Sequence, residues 1–223
     1  MQTDFWHERW KNGQIGFHQD ESNPYLVKHW SCLGLEAGNT VFVPLAGKTK
    51  DILWLTQQGF KVIANELSKS AVIAFFEENN VAYTVKKEPH FTVYSAANIN
   101  FYCGDYFALK AEYLSEVDAV FDRAALIAMP STMRESYRTH MEQLLPKPHK
   151  MLLISMEYPQ EQMDGPPFSV MEAEVNALFS NNGEITLLET FDVLAVNPRF
   201  VSKGLSMMLE KVYCLDIKKS FFN

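Results

Sequence analysis

Chemistry could be done at a few places where polar side chains follow apolar runs. The loop Val43-Pro44-Leu45-Ala46-Gly47-Lys48-Thr49 is the first. Holding a diphosphate on backbone amides needs G-x-G-x-x-G or G-x-x-x-x-G-K-[ST]. This loop has a single glycine, and Pro44 removes a donor. Gly47-Lys48-Thr49 matches only the tail of the second pattern, so diphosphate fits poorly. Glu66 follows at about 20 residues, the spacing at which a carboxylate in a dinucleotide fold binds ribose hydroxyls. The competing reading of Glu66 is a solvated loop glutamate. Gly104-Asp105-Tyr106-Phe107 offers a carboxylate and aromatics suited to an adenine amine and face. Asp122-Arg123 places charges at a further strand end, either for function or as a structural pair.

A ribose-binding carboxylate beside a loop that cannot hold a diphosphate selects a nucleoside without phosphates. S-adenosylmethionine is the common cofactor of that kind. A nicotinamide-dependent oxidoreductase would share Glu66 but needs the missing glycines, and a non-catalytic S-adenosylmethionine-binding protein is a further alternative.

These residues must be positioned by the elements around them. Short apolar runs recur at Thr40–Leu45, Lys61–Asn65, Asn100–Cys103, Val117–Asp122, Met151–Met156, Glu184–Asp192 and Lys211–Ile217. Segments with helical spacing lie between most of them, which predicts an α/β fold with a parallel sheet and right-handed crossovers. The last two runs have no clear crossover helix between them and are expected to pair antiparallel. Thr132 with Glu135, and Ser169 with Glu172, have capping-box spacing. Pro146 should end one helix, and Gly59 should close another that begins near Thr49. Ahead of the first strand, Phe5, Trp6, Arg9 and Trp10 fall on helical spacing before Gly13 and Gly16. That segment would fold over the carboxyl edge of the sheet, or merely plug an open edge.

The bulk properties narrow the class. The 223 residues suit one domain, 1–223, with a cap segment at 1–39 and a core at 40–223. The formal charge is −7, from 20 Lys and Arg against 27 Asp and Glu, the opposite of a phosphate-neutralising balance, so no nucleic-acid partner is expected. Three scattered cysteines, Cys32, Cys103 and Cys214, read as reduced thiols of a cytoplasmic protein. No apolar run approaches the roughly 18 residues of a membrane span, so no membrane partner is expected. His7, His18 and His29 recur every eleven residues, but Gly13, Gly16 and Pro24 interrupt any shared helix face, and no metal site is assigned.

Several motifs in order complete the reading. They are Trp6-x-x-x-Trp10 with Gly16-Phe17-His18-Gln19, Val43-Pro44-Leu45-x-Gly47-Lys48, Glu66-Leu67-Ser68, Gly104-Asp105-x-Phe107, Asp122-Arg123-Ala124-Ala125 and Gly165-Pro166-Pro167-Phe168. Together they resemble the thiopurine S-methyltransferase family of class I S-adenosylmethionine-dependent methyltransferases, in its bacterial form. The resemblance implies a Rossmann-like, seven-stranded, mostly parallel sheet with helices on both faces and an N-terminal helical extension over the active site. It implies Trp10 and Leu45 lining the cofactor pocket, Glu66 on the ribose, Asp105 and Tyr106 at the adenine, and Arg123 completing the cofactor site. Phe17 would stack on a flat thiol acceptor, Arg199 would bind it, and the Pro166-Pro167 turn would be a lid over it. From the residues alone, Trp6 and Trp10 equally suit a packing stripe, Phe17 an anchor, and the prolines a turn before a helix. Ala46 and Asn65 depart from the family pattern without removing a ligand.

The reaction so implied is in-line methyl transfer to a small-molecule thiol, with S-adenosylhomocysteine as product and selenium or tellurium species as further acceptors. Aromatic thiols are partly ionised at neutral pH, so no residue is named as general base. A monomer is the expected state.

Overall fold

The computed structural model describes residues 3–218. Packing divides the chain into two compact units, one ending at Phe121 and the other beginning at Asp122.

The first unit opens with α1 (Thr3–Lys11) and α2 (Pro24–His29). Then come β1 (Thr40–Val43), α3 (Asp51–Gln57), β2 (Lys61–Glu66), α4 (Lys69–Glu78), β3 (Thr84–Lys87), β4 (Thr92–Ala96), β5 (Ile99–Cys103) and most of β6 (Val117–Arg123). The strands lie in the order β3-β4-β5-β2-β1-β6. The set β5-β2-β1-β6 is parallel, as the near-continuous apolar runs predict. Val41 and Phe42 of β1 are fully buried and pair with Val62 and Ile63. On α4 the apolar face Ala71, Val72, Phe75 and Phe76 packs on β2 and β5. Ser68 caps that helix by accepting the Ala71 amide. The predicted helix near Thr49 begins at Asp51, and Gly59, at φ +90°, closes it as expected.

The second unit takes the last two residues of β6, then α5 (Ser131–Leu144), β7 (His149–Glu157), α6 (Glu172–Phe179), β8 (Gly183–Asp192), α7 (Pro198–Val201) and β9 (Leu209–Ile217). The last two strands pair antiparallel as expected, and β9 also pairs antiparallel with β7.

Three expectations need correction. The described residues form nine strands, not seven. The additional pair is β3 and β4, antiparallel to each other, with β4 antiparallel to β5. Every residue of β3 is exposed, so it lacks the apolar signal of a core strand. Neither capping box forms: α5 starts at Ser131 behind Pro130, and α6 starts behind Met171, with no side-chain cap at either. Ser169 instead accepts the Tyr158 amide, fastening a loop rather than a helix. Among the described residues no helix is long and apolar enough to cross a membrane.

Candidate functional site

The site in the first unit is built on the carboxyl ends of its parallel strands. After β1 the chain turns through Leu45 at φ +47° and Gly47 at φ +58°. The turn spends its own amides. Ala46 N donates to Asn65 O at 2.8 Å, Gly47 N to Glu66 Oε2 at 2.8 Å, and Thr49 N to Ala46 O at 3.2 Å. Lys48 reaches both carboxylate oxygens of Glu78 at 2.7 Å. Three of the loop's amides and its one ammonium, groups a diphosphate would recruit, are thus already engaged.

Glu66 is the hub of this loop cluster. It is 5% exposed, its Oε1 accepts the Ser68 amide at 2.7 Å, and its carbonyl accepts the Gly104 amide at 2.9 Å. Burial raises its pKa, and the amide hydrogen bonds from Ser68 and Gly47 hold that rise back. The carboxylate accepts the Gly47 and Ser68 amides, with the Leu67 amide adding to them, and keeps lone-pair capacity for further donors. A pair of ribose hydroxyls fits that remaining capacity.

Asp105 follows on the turn after β5. It is exposed, and its Oδ1 accepts the Phe107 amide at 3.1 Å. Tyr106 is 2% exposed, with its ring edge-on to Phe107, so a ligand at Asp105 would meet Tyr106 mainly through its backbone. Gly104 is required by close approach: a Cβ there would stand 2.6 Å from the Phe91 ring and 2.7 Å from the His90 carbonyl.

Asn65 holds this turn, a role that sequence reading missed. Fully buried, it donates from Nδ2 to Tyr102 O at 2.9 Å and to Gly104 O at 3.0 Å. The available signal was an amide side chain at the end of an apolar strand, where only a hydrogen-bonded role offsets its burial.

The N-terminal segment closes on the same loop. Phe17 lies edge-on to Trp6 at 5.8 Å and to Trp10 at 5.6 Å between ring centroids, and the Trp10 ring packs over Gly47. Asn23 fastens the segment further along, its amide donating to Asp51 Oδ1 at 2.6 Å, while its side chain caps α2. Trp10, Phe17, Leu45, Glu66, Asp105 and Tyr106 thus all belong to the first unit, on the N-terminal segment, the end of β2 and the loops after β1 and β5.

Arg123 and Arg199 belong to the second unit. Arg123 ends β6 and is followed by Ala124 at φ +65°, a sharp turn for a residue with a side chain. Beside it, Asp122 is completely buried and accepts from Leu126 N at 3.0 Å and the Tyr137 hydroxyl at 2.8 Å. Burial lifts its pKa to about 6. Arg199 is exposed on α7, with its guanidinium 4.6 Å from the Phe200 ring centroid. A cavity of about 640 Å³ in this unit is lined by Tyr158, Gln160, Phe168, Met171 and Met207 among others, and by none of the predicted site residues. Among the described residues no group of three or more His, Cys, Asp or Glu could hold a metal.

Solved structures place this architecture in a class. The 1,6-didemethyltoxoflavin-N1-methyltransferase of Burkholderia thailandensis, solved with bound 1,6-didemethyltoxoflavin and S-adenosylhomocysteine, superposes with a TM-score of 0.64 at 16% identity, over 97% of this chain and 87% of that one. An S-adenosylmethionine-dependent methyltransferase of Anabaena variabilis gives 0.64 at 15% identity, over 97% and 95%. The fold is that of the S-adenosylmethionine-dependent methyltransferases. Residues 1–219 match the family model for thiopurine S-methyltransferase. The thiopurine S-methyltransferase of Pseudomonas aeruginosa strain LESB58 is 48% identical over 216 residues, covering 97% of this chain and 99% of its own. That of Nitrosospira multiformis is 45% identical over 215 residues, covering 96% and 98%. The chain belongs to the thiopurine S-methyltransferase family.

Proposed function

We propose that the protein methylates the sulfur of an aromatic or heterocyclic thiol such as a thiopurine, with S-adenosylmethionine as donor and S-adenosylhomocysteine as product. Selenium and tellurium species are further candidate acceptors. The observation that carries the cofactor reading is the buried Glu66 carboxylate, held by the Gly47 and Ser68 amides with acceptor capacity left for a diol. The loop's spent amides support a nucleoside without phosphates over a dinucleotide.

Bound there, S-adenosylmethionine supplies a methyl group on a sulfonium sulfur, an electrophile that needs no further activation for in-line displacement. Glu66 holds the ribose hydroxyls. Asp105 would accept from the adenine amine, Tyr106 would meet the base through its backbone, and Trp10 and Leu45 would line the pocket. Arg123 provides positive charge for the cofactor or for a thiolate. On the acceptor side, Phe17 offers a ring to stack on, Arg199 a cation, and the Pro166-Pro167-Phe168 turn a wall. Their shared work is alignment and exclusion of water. The acceptor thiol ionises to solvent, so no side chain is assigned as base. We further assign the protein a cytoplasmic location and a monomeric state, one methyltransferase domain acting on a diffusible acceptor.

Calorimetric titration with S-adenosylhomocysteine tests the reading when paired with Glu66→Gln and a thiol panel. Binding by the parent chain, weakened about tenfold or more in the variant, is the expected result, the scale of losing charge-assisted hydrogen bonds. Equal affinity in both proteins would remove Glu66 from the cofactor site. Binding without turnover on any thiol would leave a cofactor-binding protein rather than an enzyme.

A further inference from the structure

The loop between β7 and α6 carries Gly165-Pro166-Pro167-Phe168, and its hydrogen bonds are concentrated on two residues outside that motif. Tyr158, 1% exposed, donates its hydroxyl to Pro167 O at 2.6 Å. Gln160 donates from Nε2 to the Tyr158 hydroxyl at 3.1 Å and to Met163 O at 2.6 Å, and its Oε1 accepts the Ser169 amide at 2.9 Å. Although exposed, the Gln160 side chain spends both of its polar atoms on one loop. It therefore ties the two ends of the motif, Met163 and Ser169, to a single side chain.

The same loop is fastened to the segment that leaves Arg123. Phe168 N donates to Ile127 O at 2.7 Å, and Ile127 lies in the short turn Leu126–Ala128 just past β6. Gly165, at φ +79°, lets the Phe168 ring fold back on the loop, where a Cβ would stand 2.5 Å from that ring. Residues 163–169 thus form a wall held by the Gln160–Tyr158 clamp on one side and by Ile127 and the buried Arg134, which donates to Ser169 O at 2.9 Å, on the other.

We infer that Gln160 and Tyr158 are positioning residues for the acceptor: they touch neither acceptor nor cofactor, and they fix the Pro166-Pro167-Phe168 wall against which a flat thiol is aligned. This rests on reading that turn as the acceptor wall. A displaced wall weakens acceptor alignment and leaves the Glu66 loop cluster of the first unit as it was. A bicyclic acceptor, which reaches further along the wall, is affected more than a single ring.

The test is steady-state kinetics of Gln160→Leu, Gln160→Glu, Tyr158→Phe and Phe168→Ala with 6-mercaptopurine and thiophenol, beside titration with S-adenosylhomocysteine. Gln160→Leu and Tyr158→Phe should raise KM for 6-mercaptopurine about five- to tenfold, the scale of one lost net hydrogen bond or more. Their kcat and S-adenosylhomocysteine affinity should stay within about twofold, and their KM for thiophenol should change less. Gln160→Glu keeps the acceptor for Ser169 N but loses the donor to Met163 O, so it should fall between. Unchanged acceptor KM in Gln160→Leu and Tyr158→Phe would overturn the clamp, and so would equal losses of acceptor KM and cofactor affinity. If Phe168→Ala raises KM while the clamp variants do not, the wall stands and only the clamp falls. If Phe168→Ala leaves KM unchanged, the wall reading fails and the clamp's role falls with it.

Discussion

The Trp10 ring lies over Gly47 so closely that a Cβ on the glycine would stand 3.2 Å from Trp10 Cζ2. The N-terminal segment and the loop after β1 are therefore mutually fitted: the loop can adopt φ +58° without strain, and the indole rests on the space that this leaves. Gly47→Ala meets both constraints. The left-handed conformation costs about 1–2 kcal/mol for a residue with a Cβ, and the indole must retreat by a few tenths of an ångström. The expected result is a lower thermal midpoint together with a several-fold weaker affinity for S-adenosylhomocysteine. A variant with parent-like affinity would show that Trp10 packs on the loop without shaping the pocket.

The pH dependence of cofactor binding follows from Glu66. Burial raises its pKa above the ordinary carboxylate value, so protonation begins at higher pH than for an exposed glutamate. The ionised form accepts from the backbone amides around it with capacity to spare, whereas the protonated form turns one acceptor into a donor. Affinity for S-adenosylhomocysteine should fall as the pH drops through the raised pKa and level off above it. Glu66→Gln should bind weakly with no such fall. A parent profile that stays flat down to the ordinary carboxylate range would contradict the assignment.

Asn65 links strand structure to the adenine side of the site. Its amide holds the carbonyls of Tyr102 and Gly104, the two residues that flank Cys103 at the end of β5, just before Asp105. Asn65→Leu keeps the volume roughly but leaves both carbonyls without this donor. A loss of about 1–3 kcal/mol in unfolding free energy is expected from the unmet groups. Cofactor affinity should fall with it, because the Asp105 turn keeps only the Gly104 amide on the Glu66 carbonyl as a tie to the end of β2. Denaturant titration and calorimetry on the same variant check the two effects.

The parallel centre of the fold was legible because strands buried on both faces read as near-continuous apolar runs, as β1 and most of β2 and β6 do, while β5, with Asn100 exposed, does so only in part. The pair β3 and β4 was not, since Thr-Val-Lys-Lys at an exposed edge carries neither alternation nor burial. Glu66 was singled out by its distance to a glycine-poor loop, and it stands buried against that loop rather than solvated. Asn65 was not, because its partners, the Tyr102 and Gly104 carbonyls, lie on a neighbouring strand and its turn, and register cannot be read from composition. The capping box at Thr132 failed because α5 already starts at Ser131 behind Pro130, and that at Ser169 failed for a tertiary reason. Ser169 accepts the Tyr158 amide and its own amide is held by Gln160, so the loop takes the residue that a helix start would have used.

Asp122 makes stability itself pH-dependent. Burial pushes the Asp122 carboxyl up to about 6 in the folded chain, well above the ordinary aspartate range, outweighing the hydrogen bonds from Leu126 and Tyr137. Below that ordinary range both states are protonated and the group contributes no difference. Between the two, the folded state keeps its proton and the unfolded state releases it, so stability falls as the pH rises through this window and levels off above it. The whole excursion is on the order of 3 kcal/mol, the free energy of a shift of about two pH units. Urea denaturation from pH 4 to 7.5 should therefore show the parent losing stability toward pH 6. Asp122→Asn, which keeps the shape and removes the titration, should show a shallower slope over the same range. Parallel profiles for the two proteins would mean that Asp122 titrates near its ordinary value in the folded state.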